Sequence, residues 1–444
     1  MKLTFLSLIL CSFAGTGFSQ DTTTAKLDQL VQSYYNLGKF NGSVLVAKRG
    51  KILLEKGYGY KNFRDSTLND PNTIYQIASV TKQFTAAVVL KLVELKKISL
   101  TDKLSRFYPG LPKSDSITIE NLLTHTSGIS DHFNDSTSSP ADAGNEEKLL
   151  TSLKKYPLDF SPGADWQYSN KGYQLLGYII QKVSGMSYYD AIKKYIFTPL
   201  HMNNSGFDFI HLVSGEKATG YWEYPRSPGV GGATIIDSSG PFAAGAIYST
   251  VGDLYKWHHA LQTFRVIRKS SLDRAYKPFK RNYGYGWMID SLFGKRIIHH
   301  GGDIWGFRSD IARNVEEDIC VIILNNVEDA DLGLISMKLL SILCNQTYRL
   351  PAKNEILLAE NILKSYTGSY EMQPGMLIEI TLEGNRLMAT TDHKEEIYAQ
   401  KEDLFRIDAG DKQVDIWFEK NADGSISDLS FYKEGRKIIC KKIK

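Results

Sequence analysis

The chain has 444 residues, 42% of them hydrophobic and 23% charged, with a net charge of +4. That length fits two or three domains with enough apolar material for a sizeable core. So small an excess of positive charge, with no long block of one sign, argues against a nucleic-acid or anionic-membrane partner.

In chain order, Lys2, the apolar residues 3–13 and the small residues up to Gln20 read as an export signal cleaved near residue 20. It is too short to span a bilayer, and no later run reaches the ~18 apolar residues of a membrane helix. The expectation is a secreted or periplasmic protein. Residues 43–47 and 52–58, joined at Lys48-Arg49-Gly50, read as a β-hairpin. Residues 81–97 carry a helix pattern, and 175–183 and 188–196 carry two more around Ser184-Gly185-Met186. Residues 296–300, 309–314 and 320–326 read as successive strands, and 332–344 as a helix. Adjacent strands in one region and helices in others favour an α+β fold for residues 21–350. A linker is expected at 351–358. Beyond it, short strands around Glu383-Gly384-Asn385 and Asn421-Ala422-Asp423-Gly424 suggest a small all-β domain over 359–444. Removing the signal leaves Cys320, Cys344 and Cys440, an odd number that reads as buried free thiols, with no metal-binding spacing.

The motifs that carry chemistry are short. Ser-x-x-Lys occurs at Ser79-Val80-Thr81-Lys82, but matches also begin at Ser152, Ser214 and Ser430. Tyr-x-Asn occurs at Tyr168-Ser169-Asn170, and also at Tyr34 and Tyr60. Context separates them. Ser79 opens a strong helix pattern, with Lys82 one turn on along the same face. The partial positive charge of a helix N-terminus favours a developing alkoxide. A desolvated lysine has a lowered pKa and serves as the base a serine needs. Taken alone, the pair fits a helix N-cap serine and a surface lysine better.

The surroundings change that balance. Ile77-Ala78-Ser79-Val80-Thr81-Lys82-Gln83-Phe84 resembles the nucleophile segment of the serine β-lactamase-like family, which includes penicillin-binding proteins, class C β-lactamases, D-amino-acid peptidases and related esterases. Leu122 to Ile129, Phe160-Ser161-Pro162-Gly163, Trp166 to Tyr173, Tyr248-Ser249-Thr250, Tyr285-Gly286-Trp287 and His300-Gly301-Gly302 resemble further family segments in the family's order. The likeness runs from about Gly42 to Asn326. It implies a β-lactamase/transpeptidase-like fold, an antiparallel sheet flanked by helices with a helical subdomain. It implies acylation of Ser79, with Lys82 as its partner. Tyr168 would shuttle the proton to the leaving group as a phenol acidified by nearby cations. Asn170 would bond Lys82 or the substrate amide, and the N–H groups of Ser79 and Asp303 would form the oxyanion hole. The tail is similar to the lipocalin-like β domains appended to this family, on Tyr366-Thr367-Gly368-Ser369-Tyr370 and Asp423-Gly424.

The third motif departs from Lys-Thr-Gly. Histidine at 300 is mostly neutral at pH 7, where lysine is a permanent cation that grips a substrate carboxylate. A register one residue earlier, His299-His300-Gly301, is less like the family. The expectation is a preference for esters, amides or D-amino-acid peptides over good β-lactams, with Gly302 and Asp303 beside the substrate. His125 reads as a buried structural histidine, and His258-His259 as poor metal ligands. No Gly-x-Ser-x-Gly elbow, His-Glu-x-x-His or phosphate loop is present. The sequence thus points to a two-domain serine hydrolase without cofactor or metal, acting on a small molecule or a peptide. A D-stereospecific peptidase on cell-wall peptides is one rival. A non-catalytic binding module on the same fold is another.

Overall fold

A computed structural model describes residues 18–131, 144–225, 231–328, 330–352, 355–409, 412–433 and 436–443. The export-signal stretch lies mostly outside the described residues.

Strands β1 (Gly42–Lys48) and β2 (Lys51–Tyr58) form the expected hairpin. Arg49 and Gly50 both take positive φ, 53° and 73°, a two-residue turn whose twist suits the flanking strands. Strands β3 (Met288–Leu292), β4 (Lys295–Ile304), β5 (Phe307–Asn314) and β6 (Ile319–Asn325) complete an antiparallel sheet of order β2-β1-β6-β5-β4-β3. Side chains alternate across it. Leu45, Ile298, Ile311 and Ile322 face one core, and Val44, Ile297, Ala312 and Val321 face the other.

The main helices, in chain order, are α1 (Phe18–Asn36), α2 (Thr81–Glu94), α3 (Asn170–Ser184), α4 (Phe242–Gly245), α5 (Val251–Gln262) and α6 (Leu332–Leu343). Helices α1 and α6 cover the back of the sheet, through Leu27, Val31, Ile335 and Leu339. Helix α2 sits in the front core and is buried nearly all round from Thr81 to Leu90, as an apolar helix inside a large domain should be. Phe84 stacks on Trp257 of α5 at 4.7 Å. Helix α3 starts where the Ser169 hydroxyl accepts the Gly172 N–H at 3.2 Å, and ends at Gly185, whose φ of 71° suits a left-handed cap.

The tail is a closed eight-stranded barrel, formed by β7 (Gly368–Gln373), β8 (Met376–Leu382), β9 (Leu387–Thr390), β10 (Lys394–Ala399), β11 (Leu404–Ala409), β12 (Lys412–Lys420), β13 (Ile426–Lys433) and β14 (Arg436–Lys442). Tyr366, Tyr370, Phe405 and Phe418 pack together in its interior, as is usual for barrels of this size. The barrel leans on α6 and the β3–β4 turn. Arg349 lies 3.4 Å over the Tyr398 ring, and Arg386 lies 5.3 Å over Phe293. The stretch read as a linker is pinned. Glu355 accepts from Lys338 at 2.9 Å and pairs with Arg349, all three largely buried, while Ile356 N–H reaches Ala399 O at 2.9 Å. Since α6 covers the back of the sheet, the barrel sits behind it, on the opposite side from α2.

Candidate active site

Residues 78–80 form a 3₁₀ turn that runs straight into α2. This turn is pinned from three sides. Ile77 N–H donates to Ile247 O at 2.9 Å. The Ser309 hydroxyl of β5 donates to Ile77 O at 2.7 Å. Gly302 of β4 lies so close that a Cβ there would come within 2.3 Å of Ile77 O and of Ser309 Oγ. Ala78 and Val80 are buried, while Ser79 between them is half-buried and open on one side.

One turn later Lys82 is completely buried. Its Nζ lies 3.0 Å from Ser79 Oγ, 2.8 Å from Asn170 Oδ1 and 2.8 Å from Ala244 O. It also lies 4.6 Å from the centroid of the Tyr168 ring. Burial pushes the amine down to about 7, with Asp131 opposing the shift. The geometry has a consequence for proton transfer. Asn170 Oδ1 and Ala244 O only accept. A neutral Lys82 gives its two N–H bonds to them and turns its lone pair to the Ser79 hydroxyl.

Asn170 is the first residue of α3, and Tyr168 lies just before the Ser169 cap. The Tyr168 hydroxyl is within hydrogen-bonding reach of Ser79. The acidified phenol expected from the sequence is corrected here. Burial raises the Tyr168 pKa well above the ordinary value, and the Ser79 hydroxyl offsets only part of that. The amine beside the ring is that of Lys82, and burial favours its neutral form.

The far wall is aromatic. His125 stacks against Tyr168 with ring centroids 4.3 Å apart, and also meets Tyr173 and Tyr283. Its Nδ1 accepts the Ser169 N–H at 3.0 Å, and burial holds the ring neutral. His300 and Gly302 share the face of β4 that looks toward Ser79. His299 points to the back of the sheet, where it bonds Asp290 at 2.8 Å. His300 is buried and pushed down to about 3, by desolvation first and the nearby Lys82 second. Its Nδ1 lies 2.6 Å from Gly301 O, which can only accept, so Nδ1 carries the proton. Nε2 then accepts from Tyr283 Oη at 3.0 Å. Both ring nitrogens are engaged within the protein, and neither is left for a substrate carboxylate. Asp303 turns its carboxylate to Arg308 at 2.9 Å.

The structure thus gathers Ser79, Lys82, Tyr168, Asn170, His300 and Gly302 around one cleft wall. It adds three groups the motifs did not single out: Asp131, which bonds Asn170, Ala244 O and Tyr283. Tyr283 stands just before Tyr285-Gly286-Trp287 and could have been found there. A carbonyl such as that of Ala244 leaves no mark in a sequence.

Known proteins resemble this chain in sequence and in fold. Residues 27–335 match the family model described as Beta-lactamase, and residues 352–439 match one described as a domain of unknown function, DUF3471. A penicillin-binding protein of Bacillus subtilis (strain 168) is 31% identical over 81% of this chain and 86% of its own length. The octameric penicillin-binding protein homologue from Pyrococcus abyssi superposes with a TM-score of 0.67 at 25% identity, over 94% of this chain and 99% of that one. D-amino acid amidase from Ochrobactrum anthropi SV3 shares the fold with a TM-score of 0.63 at 22% identity, over 74% of this chain and 99% of that one. The family match covers the sheet, helices α2 to α5 and the nucleophile turn, and the chain therefore belongs to the beta-lactamase family and is a hydrolase of that fold.

Proposed function

We propose that this hydrolase works through a covalent acyl-enzyme on Ser79, with Lys82 as general base. The observation that carries the reading is the buried, deprotonatable Lys82 amine 3.0 Å from Ser79 Oγ. Lys82 takes the Ser79 proton as Oγ attacks the acyl carbon. The resulting oxyanion sits against the backbone N–H groups of Ser79 and Asp303. Tyr168, held protonated by burial, gives its proton to the leaving group and regains one from Lys82. Water then attacks the ester, and the same groups run in reverse to release the acid.

The substrate class follows from what faces the cleft. His300 is neutral and engaged on both sides, so it supplies no charge for a substrate carboxylate. Esters, amides and D-amino-acid peptides fit this site better than carboxylate-bearing β-lactams. Cell-wall peptides are a second reading. His300→Lys decides between them: a selective gain on carboxylate-bearing substrates supports the lost-grip account, and no gain removes it. Export to the periplasm or the exterior rests on Lys2 and the apolar residues 3–13. No helix among the described residues is long and apolar enough to cross a membrane.

The direct test is intact-mass spectrometry after brief exposure to a p-nitrophenyl ester and, separately, to penicillin. An adduct that disappears in Ser79→Ala is the expected result, with the ester labelling faster. No adduct and no turnover would favour a binding module on this fold.

A further inference from the structure

Asp131 belongs to none of the motifs, yet its carboxylate meets four groups at the start of α3. Oδ2 accepts from Asn170 N–H at 2.7 Å and from Asn170 Nδ2 at 2.9 Å. Oδ1 accepts from Lys171 N–H at 3.0 Å and from Ser169 Oγ at 3.1 Å. All four are donors. An ionised carboxylate only accepts, so it fixes which way round the Asn170 amide lies. Nδ2 must face Asp131, and Oδ1 must face Lys82, where it accepts at 2.8 Å.

That orientation governs the Ser79–Lys82 contact. Among the described residues, Lys82 has two other neighbours at hydrogen-bonding distance, Asn170 Oδ1 and Ala244 O. While both are acceptors, a neutral amine exhausts its N–H groups on them, and its lone pair falls to Ser79. Were the Asn170 amide reversed, its Nδ2–H would occupy that lone pair. Lys82 would then point an N–H at Ser79 and could not take its proton. We propose that Asp131 is a positioning residue which, by locking the Asn170 amide, makes Lys82 a base toward Ser79 rather than a donor to it. This rests on the acyl-enzyme reading above.

Asp131→Asn is the informative variant, because a carboxamide offers its own N–H and frees Asn170 to reverse. Among the described residues, the side chains facing Lys82 are those of Ser79, Asn170, Tyr168 and Tyr173, with Asp131, His125 and His300 further out. Both histidines are held neutral by burial, so Asp131 is the member of this set whose charge favours protonated Lys82. Removing that charge moves the acid limb of the acylation profile to lower pH.

The experiment is single-turnover acylation of the full chain by a p-nitrophenyl ester across pH, for the parent, Asp131→Asn, Asn170→Ala and the double variant. The expectation for Asp131→Asn is acylation slowed about 10-fold or more, with the acid limb moved down by roughly half a unit. The double variant should be no slower than Asn170→Ala, because Asp131 acts through Asn170. An unmoved limb, or rate losses that multiply, would overturn the proposal. If Asp131→Asn does not fold, Asp131→Glu keeps the charge and displaces the oxygens. It should lose a similar factor with its limb unmoved, and parental acylation in that variant would also overturn the proposal. A parent that forms no Ser79 adduct defeats the acyl-enzyme reading itself. A parent that labels alongside an equally fast Asp131→Asn defeats only the role of Asp131.

Discussion

Lys82 is fully buried with no carboxylate among the described residues in contact with it, and both its reactivity and its stability cost follow from that burial. Activity should rise with pH through about 7 as the amine loses its proton, which a kcat/KM profile on a neutral ester measures. The sign for stability follows from the same lowered pKa. Below about 7 the folded protein bears the full penalty of a buried charge, and the penalty fades as pH rises toward 10.5. Relative to an inactive Lys82→Met variant, the parent should gain up to about 1.4 kcal/mol per pH unit across that window. Denaturant titrations at several pH values test this, and a constant difference would contradict it. At this scale much of the site was legible. Among four Ser-x-x-Lys matches, only Ser79 opens a buried helix. Ser152 lies within a helix of residues 146–155 and Ser430 within a barrel strand. Asp131 was illegible because its role lies in donors on a helix that begins 39 residues later.

Close approaches between elements that depend on glycine help hold the site's geometry, and two of them are at Gly302 and Gly177. A methyl group at 302 would strike the backbone oxygen of Ile77 and force β4 away from the nucleophile turn. Gly302→Ala should therefore lower kcat about 100-fold, the scale of an ångström-sized misplacement, while its circular dichroism stays close to parental. Gly177 lets α3 lie on α4, because a Cβ there would sit 2.4 Å from that of Ala243. Gly177→Val should destabilise by about 1–3 kcal/mol through overpacking. It should also slow acylation, because α4 carries the Ala244 carbonyl that holds Lys82; calorimetry and the burst rate read the two effects separately. Periodicity disclosed the hairpin, the strands of β4 to β6 and the helices α2, α3 and α6. It did not disclose α4, four residues long, which is set by packing and carries no repeat of its own.

Over the whole molecule, a charged seam joins the catalytic unit to the barrel. Glu355 neutralises Lys338 and Arg349 there, and Arg349 and Arg386 both approach Glu396. Breaking a buried pair leaves uncompensated charge, so Glu355→Ala should cost about 3–5 kcal/mol. The loss should appear as a lower Tm, with Ser79 labelling at 25 °C near the parental rate, because the seam lies behind the sheet. A large loss of labelling would instead tie the barrel to catalysis. Turn residues and alternation disclosed an all-β tail. Its seat was hidden, because the residues that hold it, such as Lys338, Arg349 and Arg386, are scattered along the chain and resemble ordinary surface charges.

The partner of β1 in the sheet is β6, with Gly42 opposite Asn325. The hairpin made first by the ribosome must therefore wait for almost the last strand of the catalytic unit before its other edge is covered. Pairing over so many residues is slow, and a nascent chain stopped short of residue 319 would expose an apolar strand edge instead of an enzyme.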